Sequence, residues 1–129
     1  ERIVVCFAGD GCFLMNGQEL ATAMQYDLPI IVLVINNGMY GTIRMHQERE
    51  YPGRISGTDL ADPDFAALAR AYGAFGETVA TTPEFAPAFE RALGCGKPAL
   101  LELRLDPEAL TPRTTLSELR AIGLKKRQG

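Results

Sequence analysis

Asp10 stands in Gly9-Asp10-Gly11, immediately after the apolar run Ile3-Val4-Val5-Cys6-Phe7-Ala8. Asn36-Asn37 follows a second apolar run, Ile30-Ile31-Val32-Leu33-Val34-Ile35, and 24 residues separate Gly11 from Asn36. If both runs are parallel strands of one sheet, a carboxylate and an amide stand at the same sheet edge. A hard divalent cation takes oxygen ligands of these kinds. Each motif alone also has a plain structural reading. Gly-Asp-Gly makes a turn after a strand, and Asn37-Gly38 suits a two-residue hairpin. The hairpin fails, because Met39-Tyr40-Gly41-Thr42 is not an alternating strand able to pair back. The two motifs together, joined by a complete strand–helix–strand unit, point to a binding site.

The elements that must position these residues follow from periodicity and punctuation. A strand over 3–8 leads through a loop over 9–15 to a helix over 17–26. Asn16 is its expected N-cap and Glu19 the capping-box partner, with Leu20, Ala23 and Met24 as the apolar face. Leu28-Pro29 stops the helix and the strand over 30–35 follows. Residues 38–60 are polar and Gly-rich, with a short helix expected over 42–49. Asp62-Pro63 reads as an N-cap followed by Pro at the first helical position. Phe65, Leu68, Ala69 and Tyr72 then recur at helical spacing, closed by Gly73. A strand over 76–80 precedes a helix that starts at Thr82-Pro83, with Phe85, Ala86, Phe89 and Leu93 inward. The last strand covers 98–105, and 115–122 suits a terminal helix. Four strands with intervening helices predict an α/β fold, a doubly wound and mostly parallel sheet with helices on both faces. The chain reads as one domain over 1–129, with 106–129 as a C-terminal tail. Such sheets bind ligands at the carboxyl ends of their strands, where Asp10 and Asn37 stand.

Composition narrows the class. The 129 residues are 47% hydrophobic and 22% charged, ordinary values for a globular domain. A net charge of −3 gives no electrostatic support to a nucleic-acid or anionic-membrane role. The basic run Lys125-Lys126-Arg127 reads as a solvated end. No apolar stretch approaches the ~18 residues of a membrane span, and no secretory signal pattern is present. Cys6, Cys12 and Cys95 are odd in number and lack C-x-x-C spacing, against a disulfide framework or a zinc site. Cys6 reads as a small core residue and Cys12 as a small filler, and a reducing cytoplasm suits all three. The chain enters an apolar strand within two residues of Glu1. A strand apolar on both faces belongs in the interior of a parallel sheet. The chain is therefore expected to be the C-terminal part of a longer polypeptide, with the N-terminal part of its domain missing.

Gly9-Asp10-Gly11 with Asn36-Asn37 at this spacing resembles the cofactor motif of thiamine-diphosphate-dependent enzymes. Asn16-Gly17-Gln18-Glu19-Leu20-Ala21-Thr22-Ala23, Leu28-Pro29 and Asn36-Asn37-Gly38-Met39-Tyr40-Gly41 are similar to its acetolactate-synthase-like branch, and benzoylformate-decarboxylase-like members share much of this text. The similarity is closest over 2–44 and runs more loosely to about residue 105. It implies a thiamine-diphosphate-binding fold, thiamine diphosphate and Mg2+ as cofactors, and decarboxylation or carboligation of 2-oxo acids by a homodimer or homotetramer. It further implies Asp10, the Asn37 amide and the Met39 carbonyl as metal ligands. Gly9, Gly11, Cys12, Tyr40 and Gly41 would then lie beside the diphosphate, the glycines letting backbone N–H groups come close. The start of the helix near Gly17 would add its positive end, with Asn16 either a phosphate donor or simply an N-cap. Thr42, Ile43 and His46 fall at pocket positions. True acetolactate synthases typically carry Met-Val and Trp there, so acetolactate synthesis itself is not implied. The family's activating glutamate comes from another domain, usually of a neighbouring subunit, and no residue here matches it. The chain is thus expected to hold the metal–diphosphate half of a site and to lack turnover alone.

Plainer readings stand beside these. His46, the only histidine, also suits a solvent-facing position, and Tyr40 suits packing at the root of its loop. Arg44 reads as a surface ion-pair residue rather than a substrate anchor, and Glu48, Glu50 and Asp59 as solvent-facing. Phe65, Tyr72, Phe85 and Phe89 have the spacing of core residues. Gly94-Cys95-Gly96-Lys97 lacks P-loop spacing, and no G-x-G-x-x-G follows a strand. Two other classes compete with an enzyme: a non-catalytic cofactor-binding homologue, and a phospho-accepting receiver built on a strand-end Asp with Mg2+ and Lys97-Pro98. The receiver fails on order, since Lys97 precedes its strand.

Overall fold

The computed structural model describes residues 2–128. In chain order the elements are β1 (Val5–Gly9), α1 (Asp10–Asn16), a 3-10 turn (Gly17–Glu19), α2 (Leu20–Gln25) and β2 (Ile31–Asn36). There follow α3 (Gly41–Glu50), α4 (Phe65–Ala71), β3 (Phe75–Val79), α5 (Thr82–Gly94), β4 (Ala99–Arg104) and α6 (Leu116–Gln128). They form two compact units, Glu1–Asn36 with Asp62–Arg104, and Asn37–Ala61 with Leu105–Gly129.

The first unit holds the sheet, in the order β1-β2-β4-β3, with every pairing parallel. Its centre is apolar on both faces because side chains alternate along a strand. Val32 and Val34 join Phe13, Leu20, Phe65, Ala69 and Leu100 on one side. Ile31 and Leu33 join Val79, Ala88, Ala92 and Leu101 on the other. Phe13 meets Phe65 edge-on, with centroids 5.7 Å apart. This is the expected doubly wound arrangement.

Local chemistry moves several boundaries. The helix expected from Gly17 starts at Asp10, straight off β1, so the expected 9–15 loop is helical. Extended Gly9 (φ −66°, ψ 157°) serves as its N-cap and Phe13 anchors it in the core. Asn16 makes no side-chain cap bond, and Glu19 instead accepts from Thr22 Oγ1 at 2.9 Å. Leu20, Ala23 and Met24 do face inward. Asp64, not Asp62, caps α4, accepting from the Ala67 N–H at 2.7 Å. Thr81 and Glu84 form a capping box on α5. Its inward seam is Phe85, Ala88, Phe89 and Ala92, while Ala86 and Leu93 are exposed. Small Ala88 and Ala92 give weak hydrophobic signals but let the helix lie close to the sheet. Gly76 has a similar role: a Cβ there would strike the Ala66 carbonyl, so β3 runs against the backbone of α4. Among the described residues β1 stands at the edge of the sheet. Its Cys6 is exposed and Phe7 is 72% exposed, because β2 is its only strand partner among the described residues.

The second unit packs α3 against α6. Gly123 makes the approach possible, since a Cβ there would lie 2.7 Å from the Glu48 carbonyl oxygen. Glu48 and Arg44, expected at the surface, are only 1% and 7% exposed. Glu48 accepts from Arg120 Nε (2.8 Å) and Nη2 (2.5 Å), from the Gly53 N–H (2.9 Å) and from Arg44 Nε (3.3 Å). Arg44 Nη1 also donates to Thr58 Oγ1 (3.2 Å) and to the largely exposed Asp59 (3.0 Å). The Arg120 fork, outweighing the cost of burial and helped by Gly53 and Arg44, holds the Glu48 carboxyl at about 2. No helix among the described residues is long and apolar enough to cross a membrane.

Candidate functional site

In the first unit, Gly9 pairs with Ile35, which levels the carboxyl ends of β1 and β2. Asp10 and Asn36 therefore stand at one sheet edge, and the chain passes from Asn36 into Asn37 of the second unit. Asp10 is 4% exposed, and its Oδ1 accepts the Gly11 N–H at 2.7 Å. Asp62, on the segment leading to α4, interacts with it. Both Asp62 oxygens are shielded from solvent, and no hydrogen-bond donor reaches them among the described residues. Burial first, then the Asp10 charge, then that of Glu102, push the Asp62 carboxyl up.

Glu102 shows the contrast. It is 1% exposed on β4, yet it accepts from Asn36 Nδ2 at 2.9 Å and Thr78 Oγ1 at 3.0 Å. Arg104 Nε lies 3.5 Å from it. Its charge is met by its surroundings, whereas that of Asp62 is not. Ionised carboxylates only accept hydrogen bonds, so two that face each other out of solvent call for a proton or a cation between them. The donor set thus suits a small hard cation. Among the described residues no three His, Cys, Asp or Glu side chains form a metal cage. An ion at Asp10 would complete its shell with neutral oxygens and solvent, as Mg2+ commonly does.

The second unit carries the other candidates. Asn37 Oδ1 accepts the Met39 N–H at 3.2 Å across Gly38, whose φ is +71°. The turn is pinned by the Leu60 N–H to Gly38 O (3.0 Å), the Tyr40 N–H to Thr58 O (2.8 Å) and a Met39–Asp59 bridge. Tyr40 is half-buried and precedes α3. Gly41 opens α3 against the Asn37 amide: a Cβ there would lie 2.8 Å from Nδ2, and 3.0 Å from Leu110 Cδ2. Thr42, Ile43 and His46 are exposed on α3, with His46 Nδ1 2.6 Å from Arg49 Nη2. Cys12 is exposed rather than a filler.

The sequence pattern did not single out Asp62, which interacts with Asp10, or Glu102 beside it. A charged residue inside the apolar run Ala99-Leu100-Leu101-Glu102-Leu103 was the available signal for Glu102. Asp62 was hidden by its resemblance to a helix cap.

A parallel α/β sheet with a shielded carboxylate pair at its carboxyl edge defines a ligand-binding α/β domain. Residues 1–103 match the family described as thiamine pyrophosphate enzyme, C-terminal TPP binding domain, and the chain belongs to it. An acetolactate synthase large subunit of Haemophilus influenzae is 42% identical over 93 residues, covering 71% of this chain and 16% of that protein. The isozyme 2 large subunit of Escherichia coli is 36% identical over 104 residues, covering 80% and 19%. Among solved structures, a thiamine diphosphate-dependent 4-hydroxybenzoylformate decarboxylase of Rhodococcus jostii RHA1 superposes with a TM-score of 0.77 at 36% identity, covering 82% of this chain and 20% of that one. A benzoylformate decarboxylase of Polynucleobacter necessarius gives 0.77 at 31% identity, covering 83% and 20%. The chain spans at most 20% of the length of each of these four.

Proposed function

We propose that the chain supplies the magnesium- and diphosphate-holding part of a thiamine-diphosphate-dependent enzyme that decarboxylates or ligates 2-oxo acids. The observation that carries this reading is buried Asp10, which interacts with a second shielded carboxylate, Asp62, and stands in the Gly-Asp-Gly motif within the residues that match the family. Asp10 contributes one negative charge to the ion. The Asn37 amide oxygen and the Met39 carbonyl contribute none, which leaves the ion free to attract the diphosphate. Gly9 and Gly11 keep the β1–α1 junction free of side chains, so backbone and phosphate can approach. Cys12, Tyr40 and Gly41 flank these ligands in sequence, and the exposed side chains of Thr42, Ile43 and His46 are the substrate-facing candidates. When bound, thiamine diphosphate supplies the electron sink that loss of CO2 from a 2-oxo acid requires.

Relatives named as acetolactate synthases and benzoylformate decarboxylases support the 2-oxo acid class. Their much greater length supports further domains outside this chain; the reading takes the activating glutamate from one of these and the whole protein as a homodimer or homotetramer. Three free cysteines, two of them exposed, suit a reducing cytoplasm. The test is a screen of 2-oxo acids for CO2 release by the full-length protein with thiamine diphosphate and Mg2+. Release from pyruvate or an aryl 2-oxo acid, abolished by Asp10→Ala, is expected. No release from any of them would leave a non-catalytic cofactor-binding homologue. The 129-residue chain by itself is expected to show no turnover, and CO2 release from pyruvate by it would overturn the half-site reading.

A further inference from the structure

We propose that Asp62 is a positioning residue of the cation site, a second negative charge that sets how tightly the Asp10 site holds its divalent ion. This rests on the reading of Asp10 as a metal ligand. Three observations support it. Asp62 has no role in capping α4, because Asp64 does that. Both of its oxygens are shielded, and no donor reaches them among the described residues. Its acidic neighbours are Asp10 and Glu102, and Glu102 already has Asn36, Thr78 and Arg104 to meet its charge.

A carboxylate with a purely structural role is expected to have donors, as Glu102 does. Asp62 instead faces a like charge in a shielded place, an arrangement that repels when empty and is relieved by a positive ion. Mg2+ keeps part of its hydration shell when bound, and bound water offers the O–H donors that Asp62 lacks. Asp62 thereby orients the ion and Asp10 without needing to be a ligand, as outer carboxylates do at other metal sites.

The experiment compares the full-length wild type with Asp62→Asn and Asp62→Glu. Mn2+ is titrated at saturating thiamine diphosphate, with free Mn2+ counted by electron paramagnetic resonance. Melting temperature is recorded in chelator, without cation. Asp62→Asn should weaken Mn2+ binding about tenfold or more, while the cation-free protein melts at an equal or higher temperature. Asp62→Glu, which keeps the charge, should retain most of the affinity. Unchanged Mn2+ affinity in Asp62→Asn would overturn the inference. A lower cation-free melting temperature in Asp62→Asn would also overturn it, since Asp62 would then be stabilising the fold itself. Failure of the wild type to bind Mn2+ would instead remove the metal-site reading on which the inference stands.

Discussion

Asp62 and Glu102 both keep their carboxylate oxygens from solvent but differ in what their surroundings offer them. Glu102 receives an amide, a hydroxyl and a guanidinium, and in doing so ties down Asn36, the residue before the candidate ligand Asn37. Asp62 receives no donor among the described residues. Asn37 depends on a neighbour with no side chain. Gly41→Ala places a methyl 2.8 Å from the Asn37 Nδ2 and 3.0 Å from Leu110 Cδ2, so the amide must move. The expected result is about tenfold weaker Mg2+-dependent thiamine diphosphate binding by calorimetry, with helix content retained because Ala favours α3. Unchanged binding would show that the Asn37 amide is not held in place by this contact.

At the scale of elements, α3 and α6 are joined by an ion pair between buried Glu48 and partly exposed Arg120. Glu48 has its carboxyl lowered from 4.5 to about 2, first by the Arg120 fork. A lowered folded-state value stabilises the protein above the unfolded value and loses that stabilisation as pH falls through the folded one. The melting temperature should therefore drop between pH 4.5 and 2 more steeply in the wild type than in Glu48→Gln. At pH 7, Glu48→Gln should cost on the order of 3 kcal/mol in chemical denaturation, the usual cost of breaking a buried pair. That difference should shrink as pH approaches 2. Parallel pH profiles for the two proteins would contradict the assignment.

The same elements show what the sequence could reveal. β2 was legible because six apolar residues in a row, too few for a helix and rich in β-branched side chains, suit a strand buried on both faces, whereas α3, expected over 42–49, lies in a polar, Gly-rich stretch with little periodicity to mark it. Arg44 and Glu48 carry helical i,i+4 spacing, yet their burial depends on Arg120, 72 residues along the chain from Glu48. No local pattern encodes that. The true start of α1 was masked by Asn16, a good cap residue in the wrong place, and Asp62 likewise stood in for Asp64. The motif singled out Asp10 as a candidate, whereas its interaction with Asp62 depends on tertiary folding across 52 residues.

At the scale of the whole molecule, the family match over residues 1–103 accounts for the first unit's sheet and for the spacing of the two motifs. The chain spans no more than a fifth of the relatives compared with it, and the proposed half-site reading takes it to hold a cofactor within a larger enzyme. The most direct measurement is calorimetric titration of thiamine diphosphate into the full-length protein, with and without Mg2+, in wild type and Asp10→Ala. Binding that requires Mg2+ and disappears in Asp10→Ala is the predicted result. No binding by the wild type, or equal binding by Asp10→Ala, would contradict it.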